Sequence, residues 1–145
     1  MEDNMRSIEI WKKRYKDEAH LGSGSGSREV HLDFKTKFIN YFIEDNNVES
    51  VLDYGHGDLK VASGIVVDSY TGIDIFEPSD IPSFGAKKHE LINSRFDEVT
   101  CEKHDVVICL DVFYHILAWD SKEYEYLEKS IKSMYDHTKK YLIVY

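Results

Sequence analysis

Two spacings of apolar residues alternate along the chain. Between residues 28 and 45, Val30, Phe34, Phe38, Tyr41 and Phe42 advance by four, four, three and one, which sets them on one stripe of a helix. Asn46-Asn47 ends that pattern, and Val48 to Tyr54 (Val-Glu-Ser-Val-Leu-Asp-Tyr) has the apolar, β-branched character of a strand. A second strand is expected over Tyr70 to Phe76, and the stretch between has room for a short helix around Leu59 to Ile65. Pro78 and Pro82 interrupt the chain, after which Lys88 to Ile92 supplies a brief third strand. Asp105 to Val112 is nearly continuous in apolar residues, as a parallel strand covered on both faces requires. Asp120 followed by Glu123 has capping-box spacing, and Tyr124, Leu127, Ile131, Met134 and Thr138 continue at helical intervals. That helix ends near Lys139-Lys140, where cations suit its carbonyl end, and Tyr141 to Tyr145 forms a last strand. Strands alternating with helices predict an α/β fold, a mostly parallel sheet of about five strands with flanking helices.

Ahead of this core, Ile8, Trp11 and Tyr15 recur at helical spacing with Lys12, Lys13 and Arg14 largely opposite, so residues 7–16 read as a short amphipathic helix. Gly22 to Ser27 repeats Gly-Ser, the composition of a flexible linker or of a mobile loop. The chain thus divides into an N-terminal helix and Gly/Ser loop over 1–27, read as a lid, and an α/β domain over 28–145.

Composition narrows the function. A chain of 145 residues fits one domain, and its two cysteines, Cys101 and Cys109, have neither C-x-x-C spacing nor histidines at metal-ligand intervals, so no metal is expected. No basic-then-apolar leader opens the chain, and no apolar run approaches the roughly 20 residues that span a bilayer. A cytoplasmic protein with no membrane partner is expected. A net charge of −9 without a basic cluster disfavours nucleic acid as a partner.

The chemistry gathers after the first strand, in Asp53-Tyr-Gly-His-Gly-Asp58. In open parallel sheets, ligands sit beyond the carboxyl ends of the strands, and Gly55 and Gly57 would let backbone approach one closely. A dinucleotide fingerprint wants a third glycine and small residues for the pyrophosphate; Asp58, Leu59 and Lys60 stand there instead, with Asp53 adding like charge. An acidic turn suits a cationic sulfonium cofactor carrying an amino group and a ribose. Asp74, about twenty residues further at the end of the second strand, is placed to accept hydrogen bonds from both ribose hydroxyls.

On these residues the sequence resembles the class I S-adenosylmethionine-dependent methyltransferases. Val51-Leu-Asp-Tyr-Gly-His-Gly-Asp58 is similar to their first motif, Tyr70-Thr-Gly-Ile-Asp74 to the second, and Asp105 to His115 to the fourth. The resemblance implies a Rossmann-like sheet in the order 3-2-1-4-5 with S-adenosylmethionine as cofactor. It also implies roles: Asp53, Gly55 and Gly57 at the methionine moiety, Asp74 at the ribose, Ile75 and Phe96 about the adenine, and Leu110 and Asp111 beneath the cofactor. Tyr15, Ser25 and Ser27 would close over it.

His56 and Leu59 depart from the small residues usual in the first motif, and the hairpin that normally follows the fifth strand is absent. The acceptor is expected to be a small molecule or a side chain, with His115 as general base and Asp111 as the other candidate. A lyase or hydrolase acting on S-adenosylmethionine, and a non-catalytic binding module, are the alternatives. Because the last strand lacks that hairpin, a homo-oligomer or another partner is expected to cover it.

Overall fold

The computed structural model describes residues 5–24, 28–116 and 120–145. Five strands, β1 (Ser50–Tyr54), β2 (Ser69–Asp74), β3 (Lys88–Asn93), β4 (His104–Cys109) and β5 (Thr138–Val144), form one sheet in the order β3-β2-β1-β4-β5. Every neighbouring pair is parallel, with Asp53 opposite Gly72 on one side of β1 and opposite Ile108 on the other. Among the described residues four α-helices accompany the sheet: α1 (Arg6–Asp17), α2 (Glu29–Asp45), the single turn α3 (Lys60–Ser63) and α4 (Ser121–Asp136). The central strands alternate between two buried layers. Val51, Tyr70, Val106 and Ile108 pack with Ile39 and Ile43 of α2, while Leu52, Tyr54, Ile73, Val107 and Cys109 pack with Ile8 of α1 and Tyr126 and Met134 of α4.

The helix α2 turns a different face to the sheet than its apolar spacing suggests, and α4 keeps only Met134 and Leu127 of its expected stripe against the core. On α2 the buried row is Lys35, Ile39 and Ile43, four residues apart. Val30, Phe34, Phe38 and Tyr41 of the expected stripe are exposed, and only Phe42 is half-buried, meeting Tyr141 edge-on at 5.1 Å. A lysine in the inward row, with its ammonium satisfied by a carboxylate, breaks the pattern that would have marked this face. On α4 the buried positions are Glu123, Tyr126, Ser130 and Met134, with Tyr124 and Ile131 exposed.

The capping box is half formed. Asp120 accepts the backbone N–H groups of Lys122 and Glu123, as an N-cap does, but the Glu123 carboxylate turns away to accept the Ser7 N–H at 2.8 Å and the Ser7 hydroxyl at 2.6 Å. This buried junction fastens the start of α1 to the start of α4. β4 ends at Cys109, three residues before the expected Val112, because the chain turns into a positive-φ conformation at Asp111. β5 is an edge, paired only with β4 among the described residues, and leaves Tyr141, Leu142 and Val144 partly exposed. His104 is buried and bonded to Thr71 Oγ1 and the Glu102 carbonyl. No helix among the described residues is long and apolar enough to cross a membrane.

Candidate functional site

The sheet order brings the ends of β2, β1 and β4 side by side, and the segment after β1 folds over the first of these. Gly55 and His56 donate their N–H groups to the Ile73 carbonyl, and Gly57 donates to Asp74 Oδ2 at 2.8 Å. Gly55 and Gly57 have φ of +92° and +56°, which glycine adopts without the penalty of a side chain. A Cβ at Gly55 would lie 2.5 Å from Val112 Cγ2, and one at Gly57 would lie 2.1 Å from Ser23 Oγ. Asp74 Oδ1 accepts the Phe76 N–H. Its carboxylate therefore organises the turn and keeps lone pairs for a further donor.

The N-terminal segment closes onto that turn. Ser23 donates its N–H to Asp58 Oδ2 and accepts the Asp58 N–H at 2.7 Å, while Tyr15 Oη lies 3.2 Å from Ser23 Oγ. The Tyr15 ring stacks on Phe76 at 4.0 Å. Beneath lies a cavity of about 90 Å³ whose wall includes Tyr15, Asp53, Gly55, Gly57, Asp74, Ile75, Phe96, Leu110, Asp111 and His115. These are all the described residues the sequence singles out for the site; Ser25 and Ser27 lie outside the described residues. The cavity is smaller than the roughly 300–1,000 Å³ of ligand pockets, so Tyr15 and Ser23 would have to open to admit an S-adenosyl ligand before closing over it.

At the β4 side, Asp111 holds φ +57°, a conformation that costs a non-glycine residue on the order of 1 kcal/mol and that concentrates at functional sites. Its N–H is fixed by the Tyr145 carbonyl at 2.8 Å, and its carboxylate pairs with the ammonium of Lys35, a residue only 4 % exposed. His115 meets Trp11 edge-on at 4.6 Å, and burial, followed by the nearby Arg14 charge, draws its pKa down, which favours the neutral imidazole.

Asp53 is buried beside β2, where it accepts the Tyr70 hydroxyl at 2.7 Å. Burial raises its pKa to about 6 against the lowering influence of Tyr70, His56 and Lys35. Burial also raises Asp74, opposed by His56 and by backbone N–H groups. The pocket therefore holds carboxylates whose ionised forms lack full solvation, an arrangement that favours a cationic guest. No group of three or more candidate metal ligands occurs among the described residues.

Solved structures share this fold. The chain superimposes on magnesium protoporphyrin IX methyltransferase from Synechocystis, determined with bound SAM, with a TM-score of 0.64 and 16 % identity over 99 % of this chain and 77 % of that one. The plantazolicin methyltransferase BpumL, determined with a substrate analog and SAH, gives 0.61 at 16 % identity over 92 % of this chain and 54 % of its own. An S-adenosylmethionine-dependent methyltransferase from Clostridium acetobutylicum gives 0.57 at 18 % identity over 86 % and 53 %. The chain has the class I methyltransferase fold. It spans about half the length of the last two methyltransferases, and neither a protein-family model nor a curated protein matches its sequence. Within this methyltransferase fold, Lys35, Ser23 and Trp11 also line or cover the cavity and were not expected there. Trp11 shares the helical register of Tyr15, a usable signal; Lys35 and Ser23 carried none, since only the fold brings them to Asp111 and Asp58.

Proposed function

We propose that this domain binds S-adenosylmethionine and transfers its methyl group to a small molecule or a side chain. The observation that carries the reading is Asp74, a buried carboxylate at the end of β2 that holds the Gly57 N–H while lining the cavity. In this reading Asp74 binds the ribose hydroxyls, Asp53 the amino group, and Gly55 and Gly57 bring backbone against the methionine portion. Ile75 and Phe96 flank the adenine, and Leu110 and Asp111 lie beneath the cofactor. Tyr15 closes over it from α1. Bound S-adenosylmethionine supplies an already activated methyl group, so the protein's task is chiefly alignment and exclusion of water.

His115 then accepts the acceptor's proton, since a neutral imidazole in the cavity wall is a competent base near pH 7. The cytoplasm is the proposed compartment, and a second copy is the proposed cover for the β5 edge. Calorimetry with S-adenosylmethionine, followed by incubation with the cofactor alone, tests the reading. Saturable binding without turnover is expected. Absence of binding at millimolar cofactor would remove it, and breakdown of the cofactor without an acceptor would replace it with the lyase or hydrolase alternative.

A further inference from the structure

The connection from β2 to β3 carries no helix among the described residues. A parallel crossover ordinarily supplies one to cover the sheet beside it. Here residues 75–87 run as a loop through Pro78 and Pro82, and β3 stays largely exposed. The loop leaves a second cavity of about 280 Å³, close to the lower end of ligand pockets and roomier than the one beneath Tyr15. Phe76, Ile81 and Leu91 give it apolar surface, and His56, Glu77 and Asn93 give it polar groups. None of the residues assigned to the cofactor above lines it.

His56 is the buried member of this wall, only 6 % exposed. Its Nδ1 lies 3.0 Å from the Gly57 carbonyl. A carbonyl can only accept, so Nδ1 carries the proton, and Nε2 of the neutral ring is left as an acceptor with no hydrogen-bond partner among the described residues. The Cδ2 edge of the ring, which carries Nε2, lies over Gly72, where a Cβ would stand 2.9 Å from His56 Cδ2 and 3.1 Å from Leu91 Cδ2. Leu91 belongs to the wall of the second cavity and not of the first, so this edge is turned toward the second. A buried acceptor without a donor costs stability, which calls for an occupant that supplies one. The small residues usual at this place in the first motif would present no such acceptor, so the feature belongs to this chain and not to the fold.

The wall also selects the kind of donor. Glu77 is the only Asp, Glu, Lys or Arg among the described lining residues, so the local field favours a cation. His56 Nε2, the Glu77 carboxylate and the Asn93 amide oxygen are all acceptors. We infer that this cavity binds a small organic amine, its ammonium donating to His56 Nε2 and Glu77 and its apolar body lying against Phe76, Ile81 and Leu91. The site is separate from the cofactor site, and the inference does not depend on the cofactor reading.

Titration of the isotope-labelled protein with benzylamine, followed by NMR at a pH above the ordinary imidazole range, tests it. Saturable shifts of the His56 ring nitrogens and of the Leu91 and Asn93 amides are expected, with a dissociation constant on the order of 1 mM. They should persist in the presence of saturating S-adenosylhomocysteine. Benzoate, of similar shape and opposite charge, should produce none. His56→Ala should weaken benzylamine about tenfold, and Glu77→Gln, a change at an exposed side chain that leaves the fold intact, about threefold. Absence of saturable shifts with benzylamine would leave Nε2 to water and overturn the proposal, as would equal shifts with benzoate or an unchanged affinity in Glu77→Gln. Displacement of the amine by S-adenosylhomocysteine would overturn it too, by making the cavity part of the cofactor site. A protein that binds benzylamine in this way but no S-adenosylhomocysteine would keep the amine site and lose the cofactor reading.

Discussion

Lowering the pH from 7 to 5 should weaken cofactor binding through Asp53. Its carboxyl is buried beneath the glycine turn, and burial lifts its pKa to about 6 in the unliganded protein. With one site titrating there, the ionised fraction falls from about nine tenths at pH 7 to about one tenth at pH 5, so a cation that binds only the carboxylate form loses about tenfold, or about 1.4 kcal/mol. Folding stability moves the other way. A raised carboxyl pKa means that the native state holds its proton more tightly than the unfolded chain, so this contribution is fully present below the unfolded value near 4 and declines as pH rises to about 6. Over pH 5 to 7 the unliganded protein should lose about 1.4 kcal/mol from this group while its affinity for the cofactor rises. Tyr70→Phe, which removes the hydroxyl that Asp53 accepts, should move the midpoint to higher pH, and Asp53→Asn should abolish the dependence. Calorimetry across this range, repeated in two buffers of different ionisation enthalpy, would report the proton released on binding. A flat affinity between pH 5 and 7 in the wild type would refute the placement of the cofactor's amino group at Asp53.

Asp74→Ala should weaken S-adenosylmethionine binding by about 1.5–3 kcal/mol by calorimetry, and Asp74→Asn by less because its amide oxygen still accepts the Gly57 N–H; equal affinity in a folded Asp74→Ala variant would remove the ribose assignment. Glu123→Ala should destabilise the fold by about 1.5–3 kcal/mol in denaturant titrations, since it strips both acceptors from Ser7, while Glu123→Gln retains a donor and an acceptor and should stay near wild type. Hydrogen exchange over residues 15–24 should slow with saturating cofactor as Tyr15 and Ser23 close on the ligand; identical exchange with and without it would dismiss the lid. Light scattering at tens of micromolar should report a dimer that Leu142→Lys dissociates, and a monomeric wild type would count against a second copy on β5.

The fold was legible because its signals are local. A run such as Asp-Val-Val-Ile-Cys-Leu cannot be half-exposed, and a glycine turn followed by Asp74 at the next strand end matches the geometry of one sheet order. The face of α2 was not legible and that of α4 only in part, because each helix buries a charged residue whose partner lies far away in sequence: Lys35 with Asp111 and Glu123 with Ser7. Apolar periodicity then points to the wrong side, since it counts a paired charge as a surface residue. The same cause hid part of the site. Asp53, Asp74 and the glycines sit in one short region of sequence, whereas Lys35 and Ser23 reach the cavity only through tertiary contacts.

The two faces of α2 have a thermodynamic consequence. Lys35 reaches the cavity from one side of the helix, while Phe34 and Phe38 stack on each other at 6.2 Å on the other, in solvent. A rigid helix cannot rotate one row without moving the next, so any ligand of the outer aromatic row that favours one setting of α2 must also shift the wall of the cavity that Lys35 lines. Linkage then requires the converse by the same factor: occupancy of the cavity would tune what adheres to the outer row, with coupling on the order of 1–3 kcal/mol if it matches other two-site proteins.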